Sequence, residues 1–139
     1  MAAFNKFNLT VDDFANGLDN LNADALKVVL TNNAPQASWH NYSDVTGELS
    51  TGNGYTAGGA VVPSTSATNS GGVETVAGSS VTWTASGGNV GPFEYVILYD
   101  SASSKLLGWW DYGSAVTLNG ANGDSFTFAP SGAVLFKLQ

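Results

Sequence analysis

The sequence predicts an all-β protein: an antiparallel β-sandwich, of jelly-roll or immunoglobulin-like type, with a short N-terminal helix or arm. Three observations carry this expectation. From residue 25 onward the apolar residues recur with a period of 2, as half-buried strands require. The apolar runs are short and return about every 8–12 residues between Gly- and Asn-rich turns, the pattern of sandwiches and barrels. The chain also has 17 glycines, and tight hairpins need residues that accept positive φ at their turns. Its 139 residues are the length of one domain, which commonly runs to about 100–150 residues. The organisation expected is an arm or short helix over 1–24 and a single β-sandwich domain over 25–139.

The elements follow in order. Phe7, Val11, Phe14 and Leu18 are spaced so that they fall on one helical stripe. Thr10 ahead of Asp12 and Asp13 suits an N-cap with acids at the positive end of a helix, although Asn16, Gly17 and Asn20 weaken the pattern. Leu26, Val28 and Leu30 alternate with Lys27, Val29 and Thr31 as a strand that Asn32-Asn33-Ala34-Pro35 ends. Residues 44–60, with Gly47, Gly52-Asn53-Gly54 and Gly58-Gly59, read as a loop. Residues 61–79, rich in Ser, Thr, Ala and Gly, read as edge strands or a flap. Val81, Trp83 and Ala85 alternate with Thr82 and Thr84. The clearest strand runs from Phe93 to Asp100, with Phe93, Tyr95, Ile97 and Tyr99 on one face and Glu94 and Asp100 turned to solvent. Ser101 to Ser104 turn the chain into Lys105–Tyr112. The segments Ala115–Leu118, Phe126–Phe128 and Val134–Leu138 complete the set.

Composition excludes several kinds of chemistry. The formal net charge is −7, all four cations are lysines, and there is no cysteine. A chain without arginine or a lysine cluster lacks the means to neutralise phosphates, so nucleic acid is not an expected partner. Without cysteine there are no disulfides, zinc–thiolate sites, iron–sulfur clusters or thiol nucleophiles. The first residues hold no apolar core of signal-peptide length and no long apolar run occurs, so no membrane partner is expected and synthesis and folding are expected in the cytosol. Asn8-Leu9-Thr10 and Asn41-Tyr42-Ser43 then read as chance matches to the glycosylation pattern.

The search for a reacting centre yields weak candidates. His40 lies near Ser38, Ser43 and Asp44, but no Gly-x-Ser-x-Gly elbow supplies a nucleophile. Glu94 and Asp111 lie on strands among aromatics, as glycosidase carboxylates do, yet their strand positions are those of solvent-facing residues. Asp19-Asn20-Leu21-Asn22-Ala23-Asp24 has the acidity of a calcium loop without its spacing or its glycine. No Gly-Lys-Ser/Thr occurs to cradle phosphate. These readings predict no catalytic residue, no cofactor and no metal, hence no enzyme. The aromatic run Trp109-Trp110-Asp111-Tyr112 sends Trp110 and Tyr112 toward a core and Trp109 to the other face, where it packs under a loop or stands exposed to a sugar ring or a partner.

Several segments resemble a family of small virion structural proteins of tailed bacteriophages. They are Phe4–Phe7, Leu26–Pro35, Gly52–Gly59, Val81–Ala85, Gly91–Tyr99, Leu107–Gly113, Phe126–Phe128 and Val134–Leu138, which together span nearly the whole chain. Trp39-His40-Asn41-Tyr42 departs from the family pattern in being more aromatic. The resemblance implies a part of the virion, made in the host cytoplasm, with a role on the capsid surface as a decoration (cement) protein. The implied partners are the major capsid protein and further copies of the chain. The contact residues expected are Phe4, Phe7, Phe14, Trp39, His40, Tyr42, Tyr55 and Trp109. A tail- or fibre-associated component, and a carbohydrate-binding module stacking sugar on Trp39 or Trp109, are the alternative expectations.

Overall fold

In the computed structural model, which describes residues 2–139, the chain runs through β1 (Phe4–Lys6), α1 (Thr10–Ala15), β2 (Leu26–Thr31), β3 (Ala60–Val61), β4 (Ser66–Ser70), β5 (Val73–Ala77), β6 (Val81–Thr84), β7 (Val90–Asp100), β8 (Lys105–Leu118), β9 (Ser125–Phe128) and β10 (Val134–Leu138). Three antiparallel sheets result. The largest has the order β1-β8-β7-β2-β3, and two smaller ones are β10-β5-β4 and β6-β9. The fold is an all-β sandwich with one short helix.

Alternation places the core. Leu26, Val28, Leu30, Val96, Leu98, Leu107 and Trp110 project from one face of the five-stranded sheet into the main hydrophobic cluster. Both small sheets cover that face. Trp110 meets Phe128 at 4.8 Å between ring centroids, Phe93 meets Phe126 at 5.0 Å, and Phe4 stacks on Phe136 at 4.9 Å. Val29, Ile97, Tyr99 and Leu106 project from the opposite face into a second cluster, which Phe7, Trp39, Tyr42 and Val45 roof over. The central sheet is thus covered on both sides, which is why β2 reads as a nearly continuous apolar run.

Three expectations change. The stripe Phe7–Val11–Phe14–Leu18 is not the buried face of a helix: Phe7 precedes α1 and is buried, whereas Val11 and Leu18 are 52% and 47% exposed. Thr10 is not the N-cap, which is Leu9. It is the first helical residue, and its Oγ1 donates to the Leu106 and Leu107 carbonyls. A helix of 6 residues is too short to bury a long stripe, so it docks through Thr10 and Asp13 instead. The third change concerns β7. Its register against β8 slips between Val90 and Phe93 and again between Phe93 and Tyr95, and Phe93 lies in the main core with Val96 and Leu98, whereas Ile97 and Tyr99 lie together in the second cluster. Asp100, expected in solvent, is fully buried. Irregular pairing resets at Phe93 the side-chain parity that alternation assumes, whereas Asp100 keeps the parity of Val96 and Leu98, whose face is covered rather than open to solvent.

Candidate interaction surface

The side chains expected as partner contacts are packed to different degrees. Phe7 and Tyr55 are buried. Phe4 is half-buried between the sheets, 5.2 Å from the Trp110 ring. Trp109 is half-buried, its ring 4.6 Å from that of Phe7. Trp39 and Tyr42 are half-buried on the second cluster, with Tyr42 stacked on Tyr99 at 4.8 Å. Phe14 packs on the main core and lines a groove. The aromatic loop 39–42 is laid along β8: the Leu106 amide donates to the His40 carbonyl and the Tyr42 amide to the Ser104 carbonyl. It continues, past Phe7, the edge that β1 covers at Gly108–Trp110.

Two polar knots hold this roof. His40 Nε2–H donates to Asp13, 2.8 and 3.0 Å from the two oxygens, and Asp13 is buried. His40 and Asn41 in turn donate their backbone amides to Asp44 Oδ2, and these bonds, Asn41's first, hold the Asp44 carboxyl below the usual carboxylate range. In the second knot the Glu48 carboxylate accepts from the Tyr42 hydroxyl, from the Tyr55 hydroxyl at 2.8 Å and from the Gly58 amide at 2.7 Å. Burial, with the adjacent Glu48 carboxylate, pushes both phenols up. These are anchoring contacts, with donors and acceptors matched. Asp111 is exposed and accepts from the Gly113 amide, and neither it nor Glu94 lines the two principal clefts. No group of three or more His, Asp or Glu side chains among the described residues has the geometry to hold a metal ion. No helix among them is long and apolar enough to cross a membrane.

The surface that stands out is the outer side of the two small sheets. In β6 and β9, Val81, Trp83, Phe126 and Phe128 face the core, so Thr82, Thr84, Ser125 and Thr127 face out and are exposed. Thr82 and Thr127 lie directly opposite, with their hydroxyls 2.8 Å apart. In the other small sheet Ala67, Val76 and Phe136 pack inward, which turns Ser66, Thr68, Ser70 and Thr75 outward. Lys137, paired with Thr75, is the one charged residue in those outward rows. Most of the acids lie elsewhere: Asp12, Asp13, Asp19, Asp24, Asp44 and Glu48 all belong to the helix and loop layer over 10–48. The outward rows of the two small sheets are therefore hydroxyl-bearing and nearly uncharged.

Sequence reasoning missed this face as a unit, although the alternation Thr82-Trp83-Thr84 and Ser125-Phe126-Thr127 signals its two central rows. It also missed Asp100, whose signal is an aspartate at a strand end before Ser101-Ala102-Ser103, where a carboxylate can accept turn amides. Comparison of the chain with protein-family models, with curated proteins and with solved structures finds no match.

Proposed function

We propose that the chain is a virion structural protein of a tailed bacteriophage, a capsid decoration protein that docks on the outer shell and bridges major capsid subunits. The observation that carries this reading is the hydroxyl face of β4, β5, β6 and β9. Threonine and serine hydroxyls rotate to donate or accept, so they pair with a partner's backbone and side chains without stranding a charge, whereas an unpaired buried charge costs several kcal/mol. The net negative charge of the chain, carried mostly outside those rows, complements a basic patch at the rim of the docking site. Repetition over the shell multiplies a modest contact into firm attachment. The resemblance noted in the sequence supports the same reading, as does the use of the aromatic residues inside the fold.

The test is reconstitution. Purified protein is added to heads depleted of it and to isolated tails, and heat resistance of the heads is measured. Saturable binding to heads and a raised disruption temperature are expected. Thr127→Lys, at an exposed position, is expected to keep its melting temperature and lose at least about tenfold in affinity, or about 1.4 kcal/mol. Binding to tails alone would move the protein to the tail. Absence of binding to heads, with no change in their stability, would end the decoration reading.

A further inference from the structure

Exposed apolar side chains gather at one place on this molecule. Among the described residues the exposed large hydrophobics are Leu9, Val11, Leu18 and Val61, and the first three lie in or close to α1. Val11 stands one helical turn before Phe14, on the same side of the helix. Leu18 follows Gly17 and precedes Asp19 in the chain. Phe14, Gly17 and Asp19 all line a groove of about 420 Å³ that lies between this segment and the β10-β5-β4 sheet. Single exposed apolar residues are ordinary, but a group that runs into a groove marks an interaction site.

The groove has an apolar base. Leu21, Ala67 and Leu138 line it with Phe14, and all four belong to the main hydrophobic cluster or pack on it, so a side chain laid there extends the core. Its charged lining residues are Asp19 and Glu74, and no lysine lines it. Glu74 pairs with Leu138 in register, on the side of the sheet from which Val76 and Phe136 enter the core. Lys137, between Phe136 and Leu138, belongs to the opposite, outward row. The walls are also fixed in advance. Asn22 Oδ1 accepts from the Ala67 amide at 2.9 Å, which ties the segment between α1 and β2 to the edge of β4. Asp19 Oδ1 accepts from the Ser103 hydroxyl at 2.6 Å. A groove held in this way loses little freedom when it is filled.

We propose that this groove binds a segment of a partner protein that carries a large apolar side chain next to a lysine or arginine. The apolar side chain packs on Phe14 and Leu138 and covers Leu18, while the cation pairs with Glu74 and Asp19. Charge selects this occupant. A second copy of the chain brings a net charge of −7 with only four lysines. An acidic segment meets like charge, and an uncharged one leaves both acids covered without a counter-charge. The groove is separate from the hydroxyl rows of β4, β5, β6 and β9, so the inference goes beyond the decoration reading and does not rest on it.

The experiment is an NMR titration of the whole isotope-labelled chain with two end-blocked peptides, Lys-Leu-Lys-Phe-Lys and Glu-Leu-Glu-Phe-Glu. The basic peptide is expected to shift the Gly17, Ala67 and Leu138 amides saturably, and the acidic peptide to bind at least about tenfold more weakly. Glu74→Lys is expected to lower affinity for the basic peptide at least about threefold and to raise it for the acidic one. Asp19→Asn, which keeps an acceptor for the Ser103 hydroxyl, is expected to weaken the basic peptide and carries the charge test by itself if Glu74→Lys does not fold. Leu18→Ser, at an exposed position, is expected to weaken the basic peptide without altering its salt dependence. No saturable shift at the three amides overturns the proposal, and so does equal affinity for the two peptides or an affinity unchanged by the charge variants. Groove shifts that grow with protein concentration in the absence of peptide overturn it in favour of a second copy. No capsid enters the assay, so its outcome is independent of the reconstitution with heads.

Discussion

Phe7→Ala tests whether the N-terminal segment is part of the folded core. Phe7 is fully buried, belongs to the cluster on the outer side of the central sheet, and sits 4.6 Å from the Trp109 ring. Truncating a buried phenylalanine removes its transfer free energy and leaves a cavity, about 3–5 kcal/mol together. The aromatic contact with Trp109 accounts for about 0.5–1.5 kcal/mol of that. For a chain of 139 residues, one kcal/mol moves the melting temperature by about 3–4 °C, so a fall of about 10–18 °C is expected. In urea the midpoint should drop with an unchanged slope, since the surface exposed on unfolding is nearly the same. Val11→Ala is the control, because Val11 shares the sequence stripe but is half exposed, and it should change stability by no more than about 0.5 kcal/mol. A loss below about 1 kcal/mol for Phe7→Ala, or equal losses for the two variants, would refute the placement of Phe7 as an internal roof residue.

Three further outcomes are expected. His40→Ala leaves the buried Asp13 carboxylate without its donor and should cost about 1–3 kcal/mol in urea unfolding, with part of the loss recovered by adding Asp13→Asn. Tyr55→Phe removes the hydroxyl that accepts from the Leu30 amide and donates to Glu48. It should lower stability by about 1–3 kcal/mol, and an unchanged midpoint would show that water replaces the hydroxyl. Gly108→Ala would drive a methyl into the Phe4 ring and the Asn5 carbonyl. β1 should detach, seen as lost exchange protection of the Phe7 amide, which donates to Leu107, while β2 and β7 stay protected.

Period-2 alternation and turn residues were enough to identify an all-β sandwich, because strand faces and hairpin dihedrals are local properties. They were also enough to send Trp110 to the core and Trp109 to the opposite face. The same alternation misread Phe93 in β7, since irregular pairing with β8 around it puts Phe93 in the cluster of Val96 and Leu98, and such a break is set by the partner strand. The helical stripe failed for a related reason. Spacing shows which residues could share a face, but the surface beneath α1 is β8, and it offers carbonyls that suit Thr10 rather than an apolar groove that would take Val11 and Leu18.

For the candidate surface, the hydroxyl content and low charge were visible in the residues, while their gathering onto one side was not. That needs both small sheets to pack on the same face of the central sheet, which rings far apart in the chain decide through contacts such as Trp110 with Phe128 and Phe4 with Phe136. The Asp19 carboxylate is the extreme case: it accepts from the Ser103 hydroxyl, 84 residues away in sequence. The sequence by itself determined the period, the turns and the charge balance, which each residue carries with its neighbours. Only the tertiary structure decided which groups meet, because burial and pairing depend on what the chain brings back from a distance.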